Sequence, residues 1–171
     1  KGQEPKHNLL ISKNRILNRN FYELYSVGYI REAFLKKEHL SIGGYLNFSI
    51  NRPGSTLNTM QGGTLMLPYT CRLKQLTLYA GPSISYSNET RRHSSSAGNT
   101  FYSEIAWGGG IYGALKYRIN SRFSVMTEYN LTYARKKTTR KNDAIGYYYA
   151  RYDNVWRSDK TISLTMVINL Y

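Results

Sequence analysis

The chain has 171 residues, which is enough for one domain with a substantial core or a small closed barrel. It carries 24 Lys and Arg against 10 Asp and Glu, a formal charge of +14 that suits an anionic partner, yet no helix-turn-helix, zinc-finger spacing or RNP-like motif points to nucleic acid. No apolar run approaches ~18 residues, which excludes a helical membrane protein, and the single cysteine, Cys71, excludes an intramolecular disulfide.

The first half of the chain predicts strands, because apolar and polar residues alternate with a period of two. Residues 1–17 are either a tail or a weak first strand around Leu9 and Ile11. In 21–34 we expect Leu24 and Ile30 on the outer face, since Glu23 and Arg31 have the other parity. A short turn at 36–38 leads to a strand over 40–50, in which the apolar set is Leu40, Ile42, Leu46, Phe48 and Ile50.

The middle of the chain continues the same pattern. A polar stretch at 52–62 is expected to be a long loop, and 64–73 a strand with Leu65, Leu67, Tyr69 and Leu73 on one face. A short turn at Lys74-Gln75 precedes a strand over 76–86 and a second long polar stretch at 88–100.

The last third gives the clearest strands. Segment 101–119 alternates, and after a short turn at Asn120-Ser121 so does 122–135. A third long polar stretch spans 138–157. In the final segment, 161–171, every even position is a large apolar residue, namely Ile162, Leu164, Met166, Ile168 and Leu170, which predicts a strand of transmembrane length.

Short turns therefore alternate with long polar stretches, the layout of an antiparallel up-and-down transmembrane β-barrel with tight periplasmic turns and long outer loops. Three short turns, with both termini on the periplasmic side, require eight strands in a single domain over 1–171. The 17 tyrosines suit a membrane–water boundary. Glycines within the strands, such as Gly108-Gly109-Gly110, would permit strong coiling.

The main alternative fold is a soluble ligand-binding barrel of lipocalin type, which would alternate in the same way with its faces reversed. Charged residues fall opposite the apolar face. In a membrane barrel they would lie in the lumen and form ion pairs, and they are Glu23, Arg31, Glu104, Lys116, Arg118 and Glu128. The turn layout and the final strand favour the membrane barrel.

The segment Gly108-Gly109-Gly110-Ile-Tyr-Gly-Ala-Leu-Lys-Tyr117 and the terminal strand resemble those of small eight-stranded outer-membrane barrels, namely OmpX, the transmembrane part of OmpA and the small barrels of Bacteroidota. The resemblance implies an integral protein of the bacterial outer membrane, surrounded by lipid and lipopolysaccharide. Tyr171 is out of step with Leu170, so either the native chain continues or this terminal signal is atypical. An eight-stranded barrel is filled by its own side chains, which argues against a porin.

One stretch has catalytic character: His93-Ser94-Ser95 resembles the His-x-Ser-Asn motif of PagL-type lipid A deacylases. The resemblance implies His93 and Ser95 as base and nucleophile, with Glu104 orienting the histidine. Ser96 stands where that family has Asn. The alternative is a polar outer loop. His7 and His39 have no partners at ligand spacing, so we expect no metal and no cofactor.

Basic residues beside the predicted outer loops are candidate contacts for lipid A phosphates, or else belong to ordinary solvated loops. They are Arg91, Arg92, Arg135, Lys136, Lys137, Arg140 and Lys141.

An aromatic cluster accompanies the last outer loop, and Tyr, Trp and Arg are the residues that dominate protein interfaces. It comprises Tyr147, Tyr148, Tyr149, Arg151, Tyr152 and Trp156. The cluster is either a partner-binding loop or an aromatic girdle with an extension of the last two strands.

These features together predict a non-catalytic outer-membrane barrel. It would be an accessory subunit of a larger assembly, with a protein partner in the membrane, or a surface protein that binds through its outer loops. The alternatives are a PagL-like deacylase and a soluble ligand-binding barrel.

Overall fold

The computed structural model describes residues 7–16, 22–32, 39–52, 54–96, 98–158 and 163–170. Ten antiparallel strands account for most of them: β1 (His7–Ile16), β2 (Tyr22–Arg31), β3 (Ile42–Asn51), β4 (Thr56–Met66), β5 (Tyr69–Leu73), β6 (Leu76–Ser95), β7 (Gly98–Arg118), β8 (Phe123–Asn142), β9 (Tyr147–Ser158) and β10 (Ser163–Leu170). No helix in this part of the chain is long and apolar enough to cross a membrane.

The ten strands form a closed ring of eight. β4 and β5 both pair with β6 and act as one strand position, and β9 and β10 both pair with β8. The ring closes where β10 pairs with β1, from His7 opposite Leu170 to Ser12 opposite Thr165. The predicted eight-stranded antiparallel barrel is therefore confirmed.

The outer wall of the barrel is apolar and the inner wall is mostly polar. The predicted outer faces of 40–50, 76–86, 101–119 and 122–135 are confirmed, with Leu46, Ile84, Ile111 and Tyr129 exposed while Ser49, Ser83, Tyr112 and Asn130 are buried. A lipocalin has the reverse arrangement, so the soluble alternative is wrong.

Aromatic side chains mark the two edges of the apolar outer wall. Trp107 and Tyr117 both face outward on β7. At ~3.3 Å per residue and a tilt of ~40°, they lie about 25 Å apart along the barrel axis, the height of the apolar band in outer-membrane barrels. The end of the barrel that contains Leu170 and the Lys74-Gln75 turn is called the lower rim. The opposite end is called the upper rim.

The predicted faces of β2 are wrong. Ile30 is 1% exposed and faces the lumen, whereas Arg31 is exposed outside. Tyr25, Val27 and Tyr29 form the outer face, because they meet lipid, and Arg31 sits at the lower rim where a cation reaches water. The side chains of Glu23 and Leu24 lie outside the described residues.

The three predicted long loops are mostly strand. Strand pairing extends far into them: β3 ends at Asn51 and β4 begins at Thr56, β6 ends at Ser95 and β7 begins at Gly98, and β8 ends at Asn142 and β9 begins at Tyr147. The parts of these hairpins above the apolar wall do not contact lipid. Their residues therefore need not alternate between apolar and polar, and the sequence carries no strand signal there. The short turns at Lys74-Gln75 and Asn120-Ser121 are confirmed, and that at 36–38 lies outside the described residues.

Two inward-facing glycines let β7 and β8 approach closely. A Cβ on Gly108 would stand 2.1 Å from the carbonyl oxygen of Tyr133, and one on Gly110 would stand 2.0 Å from that of Leu131. Gly109, which faces outward between them, would meet nothing nearer than 3.8 Å. The close approach of the strands therefore requires glycine at 108 and 110 but not at 109.

Replacing Gly110 with alanine should impair barrel formation, because the new methyl group collides with rigid backbone at a typical cost of ~1–3 kcal/mol. Refolding into lipid vesicles, followed by the heat-sensitive electrophoretic mobility of folded barrels, measures the effect. Gly109→Ala is the matched control and should fold like the unaltered chain. Equal folding of both variants would contradict this account.

Candidate functional site

A buried ion cluster closes the lower part of the lumen. The Glu32 side chain, just after β2, is 1% exposed and accepts hydrogen bonds from four groups. Lys116 Nζ donates at 2.5 Å, the Tyr79 hydroxyl at 2.5 Å and Asn8 Nδ2 at 2.9 Å, and Arg72 completes the set. Two cations thus share one buried carboxylate, with Lys116 buried beside it and Arg72 partly open to solvent.

An apolar layer adjoins this cluster and fills the barrel. Its buried members contact one another, and they are Leu10, Ile30, Met66, Tyr79, Tyr112, Ala114, Met126 and Val167. The Tyr112 hydroxyl donates to Glu128 at 3.1 Å, and Thr165 also donates to Glu128. The cavity beside Glu32 measures about 20 Å³, room for one water. Among the described residues, this level of the lumen is therefore packed rather than open.

The predicted lumen charges have mixed outcomes. Lys116 is an ion-pair partner, but of Glu32, which sequence reasoning missed together with Arg72. Glu104 pairs with Lys136 at 3.5 Å, above the apolar band. Arg118 lines the cavity beside Glu32, and Glu128 is held by hydrogen bonds. Arg31 is not a lumen residue. The correct alternation of β2, with Tyr25, Val27 and Tyr29 on the outer face, would have placed Glu32 on the lumen side.

Above the apolar band, four strands continue as a sheet that stands out of the barrel, which we call the tall sheet. It consists of 87–95, 98–106, 134–142 and 147–155, the upper parts of β6, β7, β8 and β9. Each part has about nine residues, or roughly 30 Å of strand. The outward-facing aromatics Tyr86, Trp107, Tyr133 and Trp156 stand at its base.

The tall sheet has an outward and an inward face. The seven basic residues predicted to contact lipid A phosphates are distributed over both. Tyr133 is exposed outside and Ala134 is buried inside, so alternation along β8 turns Arg135, Lys137 and Lys141 outward, and Lys136 and Arg140 inward. By the register with β8, Arg92 on β6 faces outward and Arg91 inward. The aromatic cluster divides in the same way: Tyr148, Tyr152 and Trp156 face outward, and Tyr147, Tyr149 and Arg151 inward.

The outward face combines cations with aromatic rings directly above Trp107. Arg135 and Lys137 lie over the Tyr152 ring, 5.4 Å and 5.6 Å from its centroid. Trp156 packs on Tyr133 at 5.0 Å between ring centroids. Such contacts hold the cations at the upper edge of the apolar band.

The inward face carries a row that alternates arginine and tyrosine across four strands: Arg91, Tyr102, Arg140 and Tyr149 are successive register partners. Both guanidinium carbons lie 5.6 Å from the Tyr102 ring centroid. Burial, then the hydrogen bond to Glu104, raises the pKa of Tyr102 to about 12, so its hydroxyl remains a donor. Arg140 and Tyr149 line an open cleft of about 390 Å³.

The structure does not assemble the candidate triad. His93 Nδ1 lies 2.9 Å from Thr56 Oγ1, and the Ser95 hydroxyl donates to the carbonyl of Gly98 at 3.0 Å. The Glu104 carboxylate accepts a hydrogen bond from the Tyr102 hydroxyl. Its register partner on β6 is Glu89, which lies four positions before His93. The stretch is strand rather than flexible loop. Among the described residues, no three His, Cys, Asp or Glu side chains gather where a metal ion could bind.

A closed eight-stranded ring, an apolar outer band with aromatic edges and a packed polar lumen together define a small transmembrane barrel of outer-membrane type. Solved structures agree with this class at the level of fold. A major outer membrane protein from Thermus thermophilus has a TM-score of 0.66 at 10% identity, covering 98% of this chain and 100% of that one.

Two further barrels are similar. Neisserial surface protein A has a TM-score of 0.54 at 12% identity, covering 96% of this chain and 94% of that one. Ail, the attachment invasion locus protein of Yersinia pestis, has 0.53 at 10% identity, covering 98% and 100%. No protein-family model and no curated protein matches the chain.

Glu32→Ala should destabilise the barrel by ~3–5 kcal/mol, because Lys116 and Arg72 lose the carboxylate that compensates their charges. Urea unfolding in lipid vesicles, followed by tryptophan fluorescence, gives the change. Adding Lys116→Met to Glu32→Ala should recover part of the loss. Arg31→Ala, at the exposed neighbour, should change stability by less than ~0.5 kcal/mol. A Glu32 variant as stable as the unaltered protein would rule out this role of the cluster.

Proposed function

We propose that the protein is a non-catalytic binding protein of the bacterial outer membrane, in which the barrel is the anchor and the tall sheet is the binding element. The observation that carries this proposal is the contrast between the two parts. The described part of the lumen is filled by side chains, whereas the tall sheet presents exposed aromatic and cationic residues on both of its faces. Exposed clusters of Tyr and Arg are typical of interaction surfaces.

In this proposal both termini and the lower rim lie in the periplasm, and the tall sheet faces the cell exterior. The partner is either another chain of a larger outer-membrane assembly or a molecule met at the cell surface. Two of the similar structures are described as a surface protein and an attachment protein, which is in keeping with a role outside the cell.

The double variant Tyr147→Ala/Tyr149→Ala should lose the partner, because it removes two exposed rings from the inward face without touching the apolar band. Native electrophoresis of membranes solubilised in mild detergent, with mass spectrometry of co-migrating chains, measures this. Tyr69→Ala, at a still more exposed tyrosine on the outer wall far from the tall sheet, is the control and should leave co-migration unchanged. Full retention of every partner by the double variant would refute binding through this face.

We further propose that only the outward-facing cations contact lipid A phosphates. Arg135 and Lys137 have the orientation and height to meet the lipid headgroups, because Arg135 is the register partner of Trp107 and Lys137 lies two positions farther up β8. Arg92 and Lys141 also face outward but lie six positions above the row of Trp107. Arg91, Lys136 and Arg140 face the other way and are withdrawn from this role. Four of the predicted seven thus face outward, and two of these, Arg135 and Lys137, lie at the level of the headgroups.

Arg135→Gln/Lys137→Gln should weaken lipid A binding roughly thirtyfold, since each cation near an anionic surface contributes ~1 kcal/mol. Titration of the detergent-solubilised protein with lipid A, followed by native mass spectrometry, measures the affinity and its salt dependence. Lys136→Gln is the matched control for Lys137→Gln alone, because each removes one charge and the two neighbouring residues face opposite sides of β8. A similar loss in the control would show that net charge, not orientation, governs binding.

A further inference from the structure

We propose that the inward face of the tall sheet binds a carboxylate-bearing saccharide, with Arg140 as the ligand of the carboxylate and Tyr149 and Tyr147 as stacking surfaces for the sugar rings. The proposal rests on the proposed function and names the class of molecule that this face would bind.

The argument begins with the arginine–tyrosine row. Neighbouring strands are ~4.8 Å apart, so Tyr102, Arg140 and Tyr149 lie within about 10 Å of one another on one face. Strands rather than loops carry all three, so the spacing between guanidinium and ring is fixed before any ligand arrives. A pre-ordered site loses little conformational entropy on binding.

Arg140 is the available anion ligand of the row. Arg91 already pairs with Glu89 at 2.6 Å, and Arg151 pairs with Asp153 at 2.7 Å. Among the described residues Arg140 enters no ion pair, and its recorded contact is the face of the Tyr102 ring. A guanidinium stacked on an aromatic ring keeps its N–H edge for a carboxylate, which it binds in a bidentate manner.

The rest of the cleft favours a hydroxyl-rich ligand. Its lining consists of aromatic, charged and hydroxyl-bearing residues and contains no aliphatic residue that could hold an apolar anchor of a peptide. Asp153 and nearby Glu104 can still accept hydrogen bonds from hydroxyl donors beside their ion pairs with Arg151 and Lys136. These pairs leave Arg140 as the cation without an ion pair among the described residues of the cleft, which suits a single carboxylate better than a polyphosphate. Exposed tyrosine rings offer flat apolar surface to a sugar. The volume of about 390 Å³ is within the usual range of small-ligand sites.

Two sources could supply such a sugar. One is the acidic core saccharide of lipopolysaccharide molecules in the same membrane, and the other is an acidic polysaccharide from outside the cell. Both offer the same carboxylate and hydroxyl groups to the cleft.

The test is calorimetric titration of the full chain in detergent with oligogalacturonate and, separately, with a neutral maltooligosaccharide of equal length. We expect the acidic sugar to bind and the neutral one not to. Arg140→Gln should weaken binding roughly tenfold or more through loss of a charge-assisted hydrogen-bond pair, and Tyr149→Ala should weaken it as well. Arg52→Gln, which removes the same charge from the upper rim outside the cleft, should have no effect.

A second titration uses lipopolysaccharide core oligosaccharide freed of lipid A. Binding of the core assigns the site to the membrane's own sugars, and binding of oligogalacturonate alone assigns it to an external source. Either result supports the proposal. Binding of poly-glutamate as tight as that of oligogalacturonate, an equal loss in Arg52→Gln, or no binding of either saccharide would overturn it.

Failure here is distinguishable from failure of the proposed function. Loss of co-migrating partners in Tyr147→Ala/Tyr149→Ala, without any saccharide binding, would leave the tall sheet as a binding element and remove only the ligand class. If Tyr147→Ala/Tyr149→Ala retains its partners and no saccharide binds, both the binding role of this face and the proposed ligand class are wrong.

Discussion

The pairing of β10 with β1 is the constraint on which the rest of the structure depends. A sheet with an unpaired edge would expose backbone N–H and C=O groups to hydrocarbon, at a cost of several kcal/mol for each group. Closure with eight strands then fixes the width of the lumen, and that width leaves room for side chains only. With the interior occupied, any surface that binds another molecule has to lie outside the lumen, as the tall sheet does.

The lumen illustrates how charge is accommodated when water is scarce. Glu32 would be costly to bury alone, yet donors reach it from four other strands, β1, β5, β6 and β7. The cluster therefore ties together elements that are distant along the ring as well as along the chain. Glu128 has a comparable position, with hydroxyl donors from β7 and β10.

Much of the barrel could be predicted because lipid enforces a strict period of two on strands such as β6, β7 and β8. The prediction failed at β2, where both parities contain apolar residues and the charges at the strand's ends were misleading. It failed again above the band, where water removes the need for an apolar face. The pairing of Glu32 with Lys116 spans 84 positions and depends on ring closure, so no local pattern contains it. The split of the basic run into two faces, by contrast, follows from parity alone once β8 is known to continue to Asn142.

Alternation along β8 has a consequence for how such a protein changes over generations. Arg135 and Lys137 point to one side of a single strand, while Lys136 and Arg140 point to the other. Substitutions at one parity leave the opposite face chemically intact, since the backbone ladder between them does not depend on side-chain identity. Substitutions could therefore accumulate on one face of the tall sheet over generations while the other face, and the residues that seat the barrel in its membrane, stay constant.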